Sequence, residues 1–276
     1  MNDRIINWNL DPVIFWITES FPLKYYGLFF MIGILLAFYV EKRIYAKENI
    51  PIENLDKLFI YVVVGILLGA RLGHCLFYDP SYYFANPLEI LLPIKKIGDS
   101  YQFIGFQGLA SHGGTIGVLI AIGIYCKKYK TNFLSVLDKI SIVAPIVAAF
   151  IRFGNFMNSE IYGKPTNGNW GVVFQRDDLI PRHPTQLYEA FSYLLIFGIL
   201  VLIYKKKKEK SNGLILGLAL VLIFLARFII EFFKENQVDF ESGMLINMGQ
   251  ILSVPFIIIG LILILARKKP SVQHSI

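Results

Sequence analysis

The stretch from Gly213 to Phe232 reads GLILGLALVLIFLARFIIEF, twenty residues in which Arg227 and Glu231 are the only charged side chains. The hydrocarbon core of a bilayer is about 30 Å thick and takes roughly 20 mostly apolar helical residues to cross. This stretch meets that requirement, so its natural solvent is lipid. The rest of the chain agrees with it. Of 276 residues, 55% are hydrophobic and 17% are charged, against about 25% charged in soluble domains. Such a composition leaves too little polar surface to cover a soluble fold of this length, which excludes a soluble globular protein.

Six further apolar segments are separated by charge runs or by Gly, Pro and Asn clusters: Pro22 to Val40, Leu58 to Tyr78, His112 to Cys126, Val136 to Phe153, Tyr188 to Tyr204 and Met248 to Ala266. The expected fold is therefore an all-α integral membrane protein with about seven transmembrane helices, forming one polytopic domain over residues 1–276. The His112 to Cys126 segment is short and reads as partly re-entrant.

A net charge of +7 suits nucleic acid as readily as a membrane surface, and its placement decides between them. One set of alternate connections carries 15 Lys and Arg, including Lys42, Arg43, Lys57, Lys127, the run Lys205 to Lys208, and Arg267 to Lys269; the other set carries eight. Short cytoplasmic loops collect positive charge. The N-terminus is expected outside and the C-terminus in the cytoplasm, with the lipid bilayer as partner and no nucleic acid. The Lys205 to Lys208 run reads as a solvated cytosolic flank.

Two long connections, about 79–111 and 154–187, then fall on the outer face. Loops of this length with no evident secondary structure of their own are usually functional or disordered. Interfacial aromatics such as Tyr82, Tyr83, Tyr101, Tyr162 and Trp170 favour order and function. Asp3, Asp11 and Glu19 interrupt the first twenty residues, unlike a cleaved signal peptide, so the N-terminus is expected to be retained. Cys75 and Cys126 lie among apolar residues and read as small core side chains rather than a disulfide or a thiolate metal site.

Four basic residues, Arg71, Lys139, Arg152 and Arg227, lie within or at the ends of the expected helices. A charge in hydrocarbon costs a few kcal/mol, so each needs a partner, a polar cavity or a charged ligand. Arg71 in Gly69-Ala70-Arg71-Leu72-Gly73 and Arg152 in Arg152-Phe153-Gly154-Asn155 both stand beside small residues that let helices approach closely. A guanidinium fork there grips a phosphate through two parallel hydrogen bonds or forms an internal ion pair, and these residues alone leave both open. Arg227 and Glu231 are four apart on one face and are able to neutralise each other. Burying such a pair gains little over an apolar substitute, so its presence here suggests a use.

His112, followed by Gly113 and Gly114, is a candidate base near neutral pH or a hydrogen-bonded structural group. The four histidines, His74, His112, His183 and His274, lack ligand spacing, so no metal is expected. The segment Arg152 to Gly163 packs a cation, the amides of Asn155 and Asn158, and the carboxylate of Glu160 at a helix exit. His183-Pro184-Thr185-Gln186-Leu187-Tyr188-Glu189 reads as a helix entry that supports that site.

Taken together, these motifs resemble prolipoprotein diacylglyceryl transferase, a bacterial membrane enzyme family. The resemblance spans nearly the whole chain, from Asp11-Pro12-Val13-Ile14-Phe15 and Tyr26-Gly27, through Arg71-Leu72-Gly73, His112-Gly113-Gly114, Arg152 to Gly163 and His183 to Glu189. It ends with Arg227 to Phe233 and Met248-Gly249-Gln250-Ile251-Leu252-Ser253. Each motif alone is weak; their order and spacing are specific. The chain departs from a common family form in Gly69-Ala70 before Arg71, Lys24-Tyr25 before Tyr26, and Gly108-Leu109-Ala110-Ser111 before His112.

The resemblance implies phosphatidylglycerol as donor, the lipobox cysteine of a prolipoprotein signal peptide as acceptor, and a thioether and glycerol phosphate as products. It implies the bacterial cytoplasmic (inner) membrane as location, with the site toward the outer face, and no cofactor. It further implies Arg152, Arg227, Asn155, Gly163 and Glu231, with Arg71 as a weaker inclusion, as phospholipid-binding residues, and His112, Tyr26, Glu160 and Arg227 as catalytic ones. The chemistry fits, because displacement at the glycerol carbon releases a phosphomonoester that gains negative charge as it leaves, which arginine stabilises. The acceptor sulfur reacts as thiolate, and His112 is the candidate base; the arginines alone also suffice to lower its pKa. An anion or phospholipid transporter and a lipid-binding scaffold are the alternatives, since intramembrane arginines also suit a translocation path.

Overall fold

The structure is a computed structural model, and it describes residues 4–18, 21–92, 94–98, 100–103, 108–206, 212–235 and 244–266. Asp3, Glu19, Asp99, Asp239, and the basic residues Lys207, Lys208, Lys210 and Arg267 to Lys269 used for orientation lie outside the described residues. In chain order the elements are β1 (Ile5–Trp8), β2 (Val13–Thr18), β3 (Phe21–Lys24), α1 (Tyr25–Lys47), α2 (Ile52–Phe77), α3 (Pro80–Ala85), α4 (Leu88–Leu91), β4 (Ile94–Ile97) and β5 (Ser100–Phe103). Then come α5 (Ser111–Tyr129), α6 (Phe133–Met157), β6 (Gly171–Phe174), β7 (Pro181–Arg182), α7 (Thr185–Lys206), α8 (Leu214–Ile230), a 3-10 turn at Glu231–Phe233, and α9 (Met248–Leu265).

The chain is mostly helical. Five helical stretches are long and apolar enough to cross a membrane: Ile52–Phe77, Phe133–Met157, Thr185–Lys206, Leu214–Phe233 and Met248–Leu265. Each contains or closely matches an apolar segment read from the sequence. The short segment read as partly re-entrant lies in the continuous 19-residue helix α5, ~28 Å long at about 1.5 Å per residue. The two long connections, which show no evident secondary structure in the sequence, do carry some. The first carries α3, α4 and the antiparallel pair β4–β5, and the second carries β6 and β7. Strands of two to four residues are too short to show a period, which is why sequence patterning missed them.

The chain forms two compact units. The first comprises Met1–Ile44 with Leu137–Ile276. Its core draws Ala37 from α1, Ile142, Val143 and Ala149 from α6, Tyr193, Ile196 and Leu200 from α7, and Ile215 and Ala219 from α8. Helices α8 and α9 meet at Gly217 and Gly260, where a Cβ on either would lie within 2.8 Å of the other's carbonyl oxygen. Helix ends in a membrane protein need partners for their orphan amides. The buried carboxylate of Asp138 on α6 accepts from the Gly213 and Leu216 amides, both at 2.8 Å, and so caps α8. A reciprocal Asn247–Gln250 capping box starts α9. Strand β1 pairs in parallel with β6, which pairs antiparallel with β7.

The second unit, Tyr45–Val136, is organised by the packing of α2 on α5. Gly65, Gly69 and Gly73 on α2 face Gly113 and Gly117 on α5, a spacing of four that aligns small residues along one face of each helix. Outside this seam the helices show apolar side chains to their surroundings, as Leu67 at 51% and Ile120 at 58% exposure illustrate, which suits a lipid solvent. Cys75 and Cys126 are buried free thiols, as read from the sequence. A Cβ on Gly117 would collide with the Gly65 carbonyl oxygen, whereas one on Gly123 meets nothing within 4 Å. Gly117→Leu is expected to lower the melting temperature of the detergent-solubilised protein by roughly 5 °C or more. Gly123→Ala should leave it unchanged.

Candidate active site

In the first unit the C-terminal end of α6, the first turns of α7 and the end of α8 bring together most of the residues singled out in the sequence. Arg152 on α6 pairs through Nε with Oε2 of Glu189 at 2.7 Å, and its Nη1 donates to Oδ1 of Asn155 at 3.1 Å. Asn155 in turn donates to Glu160 Oε1 at 2.7 Å, where Asn158 also donates at 3.3 Å. Tyr26, at the start of α1, packs its ring on Gly154, where a Cβ would meet Tyr26 Cδ2 at 2.8 Å. Its hydroxyl lies within electrostatic reach of Glu160 and Arg152.

The loop after α6 is strained and clamped. Ser159 and Ile161 adopt positive φ of 57° and 58°, a region that a β-branched residue such as Ile161 enters only under constraint. The entry of α7 supplies that constraint. Thr185 Oγ1 donates to the Ile161 carbonyl at 3.2 Å, Gln186 Nε2 to the Glu160 carbonyl at 2.7 Å, and the Gly163 amide to the His183 carbonyl at 2.8 Å. This is the structural content of the His183 to Glu189 motif. Gly163 sits where a Cβ would meet the Phe233 carbonyl oxygen at 2.5 Å and His183 Cβ at 2.7 Å, so only glycine closes the loop onto the end of α8.

Helix α7 turns a polar stripe inward. Gln186, Glu189 and Tyr193 are buried at spacings of three and four, continued by apolar Ile196 and Leu200. Tyr193, 4% exposed, continues the stripe one turn beyond Glu189. Glu189 is fully buried, and its second oxygen accepts from Lys234 Nζ at 2.9 Å. Lys234 also reaches Glu231 Oε2 at 3.3 Å. The neutralisation of Arg227 by Glu231, open in the sequence, is thus not what the structure shows: Glu231 pairs with Lys234. Among the described residues Arg227 has no ion-pair partner, and its buried Nε has no hydrogen-bond partner. Gly249 on α9 presses on the Glu231 carboxylate, where a Cβ would collide with Cδ.

Sequence reasoning missed Lys234 and Tyr193, and took Glu189 only as part of a helix entry. A signal for Lys234 was present. Arg227, Glu231 and Lys234 succeed one another at spacings of four and three and so share a helical face.

The second unit holds Arg71 and His112. Arg71 is 7% exposed. It donates through Nε to the Ile90 carbonyl at 3.0 Å, to the Glu89 carbonyl, and at 3.4 Å to both the Gly108 carbonyl and the Tyr83 hydroxyl. Its guanidinium also lies over the Tyr83 ring at 4.9 Å. These contacts order the connection after α2. The same connection buries Glu89, which accepts from the Tyr82 hydroxyl and the Lys96 amide, both at 2.8 Å. The hydrogen bond to Glu89 pushes the Tyr82 hydroxyl up to about 12. His112 is exposed on the first turn of α5. Among the described residues no cluster of His, Cys, Asp and Glu has the makings of a metal site.

His183 stands between Trp170, at a 4.9 Å ring separation, and Phe233, at 5.3 Å, with Nδ1 3.2 Å from the Tyr188 hydroxyl. Burial lowers its pKa below the ordinary imidazole value. As pH falls through about 6.5 the unfolded chain takes up this proton before the folded chain does, so folding stability declines with acidification until the lower folded value is reached. His183→Gln is expected to make the stability of the purified protein fall less steeply between pH 7.5 and 5. An unchanged slope would show that His183 does not titrate differently on folding.

Comparison with known proteins agrees with this arrangement. The family model of prolipoprotein diacylglyceryl transferase matches residues 12–266. A phosphatidylglycerol–prolipoprotein diacylglyceryl transferase of Bacteroides fragilis is 49% identical over 258 residues, covering 93% of each chain. One from Tolumonas auensis is 47% identical over 263 residues, covering 95% of this chain and 97% of its own. One from Chloroherpeton thalassium is 42% identical over 261 residues, covering 94% and 93%. With its residues 12–266 accounted for by the family model, the chain belongs to the prolipoprotein diacylglyceryl transferase family.

Proposed function

We propose that this chain transfers the diacylglyceryl group of phosphatidylglycerol to the lipobox cysteine of prolipoproteins, the first step of lipoprotein maturation, at the outer face of the bacterial inner membrane. The observation that carries the proposal is Arg227. It is a cation on an apolar helix whose buried Nε has no hydrogen-bond partner among the described residues. A buried donor left unpaired is costly unless a ligand completes it. An anionic phosphodiester supplies the missing acceptor and suits a bidentate guanidinium.

In the reaction the acceptor thiolate forms a carbon–sulfur bond to the terminal glycerol carbon of the diacylglyceryl group. The carbon–oxygen bond to phosphate breaks, and glycerol phosphate leaves with the bonding electron pair. The thiol proton passes to His112, the exposed imidazole on α5. Arg152 and Arg227 hold the phosphate and meet its growing charge. Asn155, Glu160 and Tyr26 orient the headgroup hydroxyls, Glu231 fixes the end of α8, and Gly163 permits the close approach of the loop. Arg71 acts through the connection that it folds. No cofactor takes part.

The same reading assigns seven membrane crossings, adding α1 and α5 to the five apolar stretches, within one polytopic domain over residues 1–276. It places the N-terminus outside, the C-terminus in the cytoplasm, and the connections at 79–111 and 154–187 on the outer face. The excess of Lys and Arg in alternate connections supports it.

Purified protein supplied with phosphatidylglycerol and a lipobox peptide is expected to yield a peptide heavier by one diacylglyceryl group on its cysteine. An unmodified peptide beside lipid movement across vesicles would instead favour a transporter. Arg152→Ala and Arg227→Ala should each lower turnover by about 100- to 1000-fold while the protein still inserts. Normal rates in both would remove the site. His112→Gln should slow transfer when chemistry limits the rate; an unchanged rate makes His112 structural.

A further inference from the structure

Lys234 is 2% exposed, in a unit where most cations reach the surface. Its backbone is fixed by an antiparallel bridge to Gly163 and by its amide donating to the Glu231 carbonyl at 3.2 Å. Its ammonium lies 2.9 Å from Glu189 and 3.3 Å from Glu231. Glu189 is fully buried and holds Arg152 on its other oxygen. One carboxylate is therefore shared between two cations, only one of which, Arg152, also bonds the Asn155–Glu160 arm of the site. With Lys234 removed, Glu189 would draw all its compensation from Arg152 and cancel that residue's field toward an anion. Glu231, one helical turn from Arg227, would at the same time lose the partner that keeps it from Arg227.

We propose that Lys234 is a positioning residue for the transfer reaction: by neutralising Glu189 and Glu231 together, it leaves the positive field of Arg152 and Arg227 available to the phosphodiester of the donor lipid. This rests on the transferase function proposed above. The six side chains Arg152, Arg227, Lys234, Glu160, Glu189 and Glu231 cancel in formal charge, so losing the lysine makes the cluster anionic just where an anionic lipid must bind. A purely steric role for Lys234 depends on its shape and not on this balance.

The test compares wild type, Lys234→Met, and Lys234→Met combined with Glu189→Gln, using peptide mass as product and varying phosphatidylglycerol in mixed micelles. Lys234→Met should raise the KM for phosphatidylglycerol or lower kcat/KM roughly 10- to 100-fold, the size of effect expected when an orienting partner is lost. The double variant, neutral again, should recover most of that loss although it is further from the native sequence. A donor dependence unchanged in Lys234→Met, or a double variant no better than the single, overturns the proposal. If Lys234→Met does not fold while the double variant folds and transfers lipid, the charge balance is upheld. Failure of both to fold, or a folded but inactive double variant, contradicts it. Absence of product from the wild type would instead refute the transferase reading itself, so the two failures are distinct.

Discussion

A fully buried carboxylate, Glu189, joins the ends of three helices. It holds Arg152 of α6 with one oxygen and Lys234, just beyond α8, with the other, while itself standing on the first turns of α7. A lone carboxylate in such a place would be prohibitive, and either cation alone would leave the remaining charges unbalanced. Around this group the polar stripe of α7 organises the neighbouring chain. Gln186 and Thr185 clamp the strained loop at 159–161. The geometry of the site thus depends on electrostatic pairing in a low-dielectric interior.

That dependence accounts for the division of labour among the cations. Arg152 is held rigidly by a carboxylate and an amide, whereas Arg227 keeps a donor with no partner among the described residues. Under the proposed function, a preorganised cation and an unfilled one together suit an anion whose charge grows during reaction, because no reorganisation is then needed in the transition state. Arg71, equally an intramembrane arginine in the sequence, donates to backbone carbonyls of the connection after α2 and so helps to order it.

Much of this was legible in the chain. The apolar segments located the long helices because lipid solvent forces about twenty unbroken apolar residues, and the density of polar groups from Arg152 to Gly163 marked a stretch that the fold knits into one hydrogen-bonded cluster. The partner of Glu231 was not legible in the same way. A spacing of four made Arg227 the obvious choice, yet the 3-10 turn at Glu231–Phe233 brings Lys234 within reach instead. Glu189 was hidden for another reason. In the His183–Glu189 stretch it reads only as part of a helix entry, and only tertiary packing reveals that it is fully buried. The short strands β4 to β7 lay below the length at which alternation is visible, although together they give the two long connections their structure.

The central claim is that Arg152 and Arg227 clasp the head of an anionic phospholipid. Photocrosslinking with phosphatidylglycerol carrying a diazirine in its headgroup, followed by peptide mass mapping, tests this most directly. Labels confined to the end of α6, the loop to Gly163 and the end of α8 are the expected result. Labels scattered over the lipid-facing surfaces of the helices, with those segments unmarked, would contradict it.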